Sequence, residues 1–206
     1  MSVRVKICGV TSIADAVLAV QLGADLIGLN FYPQSPRYLS PDAALQIRAV
    51  IPAHVLCVGV FVNAERQQIA TLVEQLRLDV VQFHGDEQEE VLSGWPCRTI
   101  KALRVSPGGE MPEVARLSVD YILLDTYKTG QYGGTGETFS WERVVSFVPC
   151  REHRLILAGG LTPENVALAV QTVRPWAVDV ASGVESAPGR KDQNKMRAFI
   201  TNAKTA

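Results

Sequence analysis

The chain lacks most of what would mark it as a nucleic-acid binder, a membrane protein or a disulfide scaffold. Its 20 Lys and Arg nearly balance 21 Asp and Glu, for a net charge of −1. The basic excess that binds nucleic acid or an anionic membrane by counterion release is therefore missing, and a small molecule is the expected partner. No apolar run approaches the roughly 18 residues of a membrane span. The opening MSVRVK enters an alternating strand without an apolar core, so no secretory signal is expected. Cys8, Cys57, Cys97 and Cys150 lie 49, 40 and 53 residues apart. That spacing fits neither a CxxC metal or redox pair nor a disulfide framework, and points to a reducing cytoplasm without a bound metal. GGTGE, the chain's densest glycine run, lacks the Lys of a phosphate-cradling GxxxxGK[ST] loop, which removes an NTPase. With no linker, low-complexity tract or charge block, residues 1–206 read as one domain; monomer and homodimer both stay open.

What is present is a regular alternation. Short apolar runs at roughly 3–8, 25–31, 55–62, 79–84, 98–104, 119–125, 154–158 and 177–181 read as strands. Between them lie segments with apolar residues at helical spacing, such as SIADAVLAVQL, PDAALQIRAVI and AERQQIATLVEQL, several opening on Ser, Pro or Asp as helix starts do. Eight strand–helix units predict an α/β protein, either a closed (β/α)8 TIM barrel or an open doubly wound sheet. The barrel is preferred: about 26 residues per unit suits its short end, and an open sheet would leave two edges unprotected. The longest connection, 126–139 after the sixth strand, reads as a surface loop at the position of a lid.

In such a barrel the chemistry sits where strands end and βα loops begin. Those positions are unusually polar here: Cys8, Asn30, Asn63, His84, Asp125 and Ser182. Alternation turns Val3, Val5 and Ile7 toward the helices and Lys6 and Cys8 toward the axis; likewise Gln82 shares a face with His84, and Asp125 with Leu123 and Tyr121. Cys57, Cys97 and Cys150 read as small buried hydrophobes. Cys8 differs, because a strand gives way there to a Gly turn and Lys6 could favour its thiolate. An Asp and a Cys at one barrel mouth supply an acid and a base, while His84 fits binding better than carrying the main proton. LAGGLTPEN and VASGVES put glycine turns after strands seven and eight, where barrels bind phosphate on backbone N–H groups. In FYPQSPRYLSP, Pro33, Pro36 and Pro41 stiffen the loop around Arg37, a guanidinium suited to a carboxylate.

VKICGVT, FYPQSPRYLSP, VGVFVN, VQFHGDE, LLDT, GGTGETFSW, LAGGLTPENV and VDVASGVE with GRKD resemble, in that order along nearly the whole chain, the phosphoribosylanthranilate isomerases. The resemblance implies a cofactor-free (β/α)8 isomerase of tryptophan biosynthesis. Its reaction is the Amadori rearrangement of N-(5-phosphoribosyl)anthranilate to 1-(2-carboxyphenylamino)-1-deoxyribulose 5-phosphate. Carried over by motif, Cys8 is the general base and Asp125 the general acid, and Arg37 holds the anthranilate carboxylate. His84 and Asp179 line the site, and Gly159, Gly160, Ser182 and Gly183 hold the phosphate. One departure is Ala181, where many members carry Ser. The related isomerase of histidine biosynthesis is the nearest rival, and its group generally ends the first strand on Asp, so Cys8 argues against it. A catalytically silent scaffold barrel would be expected to lack one of the acid and base pair, and neither is missing.

Overall fold

The computed structural model describes residues 2–105, 114, 117–126, 141–146 and 154–206. Eight parallel strands, β1 (Arg4–Cys8), β2 (Leu26–Asn30), β3 (Leu56–Phe61), β4 (Val80–Phe83), β5 (Arg98–Val105), β6 (Tyr121–Thr126), β7 (Arg154–Leu157) and β8 (Ala177–Val180), pair in sequence order, and β8 pairs back onto β1. The barrel is closed, as expected from the eightfold alternation, and no described helix is long and apolar enough to cross a membrane. Most of the loop at 126–139, and Cys150, lie outside the described residues.

Each strand is covered on both faces, which is why apolar residues dominate both of its registers. Outward, Val5, Ile7, Ile27, Leu29, Phe61, Val81 and Phe83 join the helices in one large core. Inward, Leu26, Val58, Val60, Val80, Ile100, Leu123, Ile156 and Ala177 fill the barrel itself. Helix starts follow the local chemistry read from the sequence. Ser12 accepts from Asp15 N at the start of α1 (Ile13–Gln21), and Ser40 from Ala43 N before α2 (Pro41–Arg48), with Pro at the first turn. α3 (Arg66–Leu76) ends at Arg77 in the left-handed region, φ 48°. In the unit after β4 the helix is short: α4 (Glu89–Leu92) has 4 residues. Gly94, at φ 75°, and Pro96 stop it, where the sequence pattern had suggested a full-length helix.

The bottom of the barrel is tied by a repeated device. Asp25, Asp79 and Asp120 each precede an even-numbered strand, and each carboxylate accepts from a backbone N–H of the preceding strand: Val5, Cys57 and Thr99, all at 2.8 Å. In return each Asp N–H donates to the carbonyl of that same residue, at 2.8, 3.0 and 3.2 Å. Before β8 the matching place is taken by Trp176, whose carbonyl still receives Arg4 N from β1. Trp176 instead packs on Tyr121, with ring centroids 4.5 Å apart, beneath the guanidinium of Arg4.

After β8 the chain makes a 3-10 turn (Ser182–Val184) and a small antiparallel hairpin, β9 (Glu185–Ala187) and β10 (Arg190–Lys191). It then enters α7 (Gln193–Thr205), which packs against β1 and against α6 (Val166–Val173); α6 in turn meets α5 (Trp141–Ser146). The strand pattern did not contain this hairpin, because three- and two-residue strands are too short to show a period.

If the acidic clamps hold the strand starts, Asp79→Ala strands the Cys57 N–H and lowers unfolding free energy by about 1–3 kcal/mol. Urea unfolding checks this, and an unchanged midpoint would dismiss the clamp as ornamental.

Candidate active site

The upper end of β1 is held in place by charge. Lys6 is completely buried inside the barrel and donates to Asp179 Oδ1 at 3.0 Å across the β1–β8 seam, where the two residues are register partners. Burial alone would depress the Lys6 ammonium, but Asp179 and Cys8 raise it above its ordinary value, so it stays charged. One step up on the same face is Cys8, half-buried at the mouth. Gly28 on the next strand makes room for it: a Cβ there would stand 2.9 Å from Cys8 Sγ and 3.2 Å from Lys6 Nζ. Lys6 does pull the thiol down, as its spacing suggested. Burial outweighs that pull, and Asp179 opposes it, so the Cys8 thiol lies above the ordinary range and rests protonated near neutral pH. Of the other described cysteines, Cys57 is buried as expected, with burial pushing its thiol up to about 12, whereas Cys97 is only half-buried.

Across the mouth, β4 and β6 supply His84 and Asp125, both buried. His84 Nδ1 is 2.9 Å from the Gln82 amide nitrogen two residues earlier on the same face. With Gln82 donating, Nδ1 is the acceptor and the ring proton sits on Nε2. Nε2 faces Asp125 Oδ2 at 3.3 Å without the alignment of a hydrogen bond. The imidazole is thereby held beside the carboxyl group, in a position that β-strand alternation and one amide decide.

The β2–α2 loop places Arg37 above β1. Asn30 donates to Ser35 Oγ (3.2 Å), which accepts the Arg37 N–H (3.1 Å), so hydrogen bonds as well as prolines set the loop. The Arg37 stem lies directly over Gly9, whose φ of 67° and missing Cβ leave the space. Its guanidinium is paired with Glu185, Nε to Oε1 at 2.8 Å and Nη2 to Oε2 at 2.7 Å. Lys191 Nζ joins the same carboxylate at 2.9 Å and also donates to the carbonyls of Cys8 (2.6 Å) and Ala181 (3.1 Å).

Beside these groups, the turns after β7 and β8 press together. Gly159 and Gly160 have φ of 85° and 64°. Asn165 Nδ2 donates to the Gly160 carbonyl at 3.0 Å, fixing the first turn. A Cβ on Gly183 would run into the Leu161 carbonyl, so the second turn needs glycine to lie against the first. One pocket is lined by these turns together with Asp125, Asp179 and Ala181; the adjoining one shares those three and adds Cys8, Asn30, Arg37 and His84. All nine residues singled out from the sequence therefore line two contiguous hollows at one end of the barrel. A larger cleft at the opposite end, between Arg4, Arg174, Trp176 and Lys204, contains none of them. Among the described residues no cluster suited to a metal ion occurs.

Sequence reasoning missed Glu185 and Lys191, and noted Lys6 without its partner. Their only trace is an acid and a base six apart just beyond the last strand, a signal too common to stand alone.

Known proteins match the chain over nearly its whole length. Residues 5–202 match the family model described as N-(5′-phosphoribosyl)anthranilate (PRA) isomerase. The N-(5′-phosphoribosyl)anthranilate isomerase of Trichlorobacter lovleyi is 47% identical over 204 residues, covering 99% of each chain. The crystal structure of phosphoribosyl anthranilate isomerase from Thermotoga maritima superposes with a TM-score of 0.86 at 43% identity, covering 99% of this chain and 100% of that one. A phosphoribosyl anthranilate isomerase in complex with reduced 1-(o-carboxyphenylamino)-1-deoxyribulose 5-phosphate superposes at 0.83 with 39% identity, covering 99% of this chain and 100% of that one. With its family model spanning nearly the whole barrel and these relatives matching end to end, the chain belongs to the N-(5′-phosphoribosyl)anthranilate isomerase family.

Proposed function

We propose that the chain works as a single barrel domain that rearranges N-(5-phosphoribosyl)anthranilate to 1-(2-carboxyphenylamino)-1-deoxyribulose 5-phosphate, with Asp125 as general acid and Cys8 as general base. The observation that carries this reading is the pairing of a thiol and a carboxyl group in one hollow that runs into a double glycine turn. The relative bound to a reduced form of that product lends its chemistry to the assignment.

The phosphate would rest on the backbone N–H groups of Gly159, Gly160, Ser182 and Gly183. Ala181 offers no hydroxyl, so the backbone must suffice. The anthranilate carboxylate would meet Arg37 at the other end, and His84 and Asp179 would line the ribose between them. Held at both ends, the reacting carbons need little further ordering. Asp125 donates its proton to the ring oxygen as the C1′–O4′ bond breaks, leaving the open chain as a Schiff base. Cys8, as thiolate, removes the proton from C2′ and the electron pair moves toward nitrogen, giving an enolamine. Tautomerisation places a proton on C1′ and a carbonyl at C2′.

The resting thiol does not conflict with this. The reactive form needs one proton shared by the pair, on the carboxyl group with the thiolate opposite. Kinetics count that proton without saying which partner carries it at rest. Activity is lost when the last proton leaves the pair, and a thiol raised above its ordinary value sends that loss to alkaline pH.

Cys8→Ala and Asp125→Asn should each lower kcat by about 10²–10⁴ with the fold retained by circular dichroism. Near wild-type turnover of freshly generated substrate by either would end its assignment. In wild type, kcat/KM should decline above pH 9, beyond the ordinary thiol value of 9.0. Cys8→Ser should abolish that limb in whatever activity remains; an alkaline limb identical in both proteins would take the thiol out of the mechanism.

A further inference from the structure

Arg37 presents two edges capable of gripping a carboxylate: the side formed by Nε and one Nη, and the end formed by both Nη groups. In this fold the side is already taken. Glu185 accepts from Nε at 2.8 Å and from Nη2 at 2.7 Å, and no described group bonds to Nη1. Two of Arg37's five donors are used and three remain, among them the pair at the end of the guanidinium, and Arg37 lines the hollow that holds Cys8 and Asp125. The Glu185 carboxylate is itself nearly fully buried, with 5% of its side chain exposed. Burial opposes its ionisation, but the Arg37 hydrogen bonds and Lys191 hold it below the usual carboxylate range.

The anchoring does not stop at Glu185. Lys191 has three N–H donors, and all three are spent: on Glu185 Oε1, on the Cys8 carbonyl and on the Ala181 carbonyl. It has none left for a phosphate, so its buried charge serves the structure around it. The hairpin carrying both residues is docked on the two loops that matter. The Gly189 carbonyl accepts from Thr11 in the β1–α1 loop, and a Cβ on Gly189 would stand 3.1 Å from the Pro36 carbonyl next to Arg37. Lys195 Nζ, from the first turns of α7, holds the Glu185 carbonyl at 2.9 Å.

We infer that Glu185 is a positioning residue for substrate selection. It grips one edge of Arg37, aims the other at the aromatic carboxylate, and through Lys191 ties that grip to the backbone of Cys8. A free arginine at this loop would sample many rotamers; one clamped to a buried carboxylate presents a fixed fork, so the ordering cost is met before substrate arrives. Cys8 is the fixed point of this arrangement, because β1 is paired on both sides within the barrel; loosening the grip therefore moves Arg37 and leaves the base in place. The inference rests on the proposed role of Arg37.

The test compares two substrates, N-(5-phosphoribosyl)anthranilate and N-(5-phosphoribosyl)aniline, which differ by the carboxylate alone. Wild type should prefer the first through KM, and Arg37→Met should erase most of that preference. Glu185→Gln should raise KM for the carboxylated substrate by about tenfold, with kcat within about threefold, and should scarcely alter the aniline analogue. In the double variant the two effects should fail to add, because both act through one guanidinium. Glu185→Asp keeps the charge that Lys191 requires but withdraws it by one methylene. It should shift the substrate ratio in the same direction, and it covers a Glu185→Gln protein that does not fold. Equal losses on both substrates would mean that Glu185 is merely structural, overturning the inference. So would an Arg37-dependent preference that neither Glu185 variant disturbs. A wild-type enzyme indifferent to the carboxylate would overturn the Arg37 assignment itself, and this inference with it.

Discussion

The buried ion pair between Lys6 and Asp179 sits where the first and last strands of the barrel meet. Closing the sheet makes these strands neighbours and puts the two residues in register, facing a dry interior. Neither charge could stay there alone, since removing one partner of such a pair leaves an uncompensated buried charge. Closure and pairing therefore depend on each other. The consequence reaches the mouth, because Cys8 is the next inward position above Lys6 and Asp179 is shared by both hollows of the site. A cation and an anion in close contact largely cancel at a distance, which is one reason the thiol is governed by burial instead of being ionised by its lysine neighbour.

A second tie lies one layer higher. Arg37, Glu185 and Lys191 link the loop after β2, the hairpin after β8 and the carbonyl ends of β1 and β8. Together with the seam below, this divides labour along the barrel axis. Apolar layers and the acidic clamps of Asp25, Asp79 and Asp120 carry the lower end. The upper end is carried by paired charges, Arg37 and Lys191 on Glu185. Buried polar groups of this kind are costly when unpaired, and the Lys191 ammonium meets that demand with three acceptors.

The glycine turns show the same economy in backbone form. Gly9 leaves room for the Arg37 stem, Gly28 for the Cys8 sulfur, and Gly183 for the Leu161 carbonyl. In each case the residue matters for the side chain it lacks, and each vacancy is filled by a group of the site from a different part of the chain.

How much of this was legible in the sequence depends on the range of the interaction. Local period and capping are short-range, so the eight strands fell within a residue or two of their observed limits; alternation turned Lys6 and Cys8 toward the axis and put Asp125 on the face of Tyr121 and Leu123, which line the barrel. Motif order pointed to the family, and the positions it named do line one end of the barrel. By contrast, nothing in VRVKIC says that the charge on Lys6 is spent on a residue 173 positions away, so the lysine that could favour a thiolate does not outweigh burial. Nor does SPRY reveal that the arginine's best edge is already occupied from residue 185. The sequence by itself determined the barrel and its candidate reagents, since both follow from local pattern. Which charges are free to act was decided only by the tertiary structure, because partnership across a closed barrel is a property of its seam.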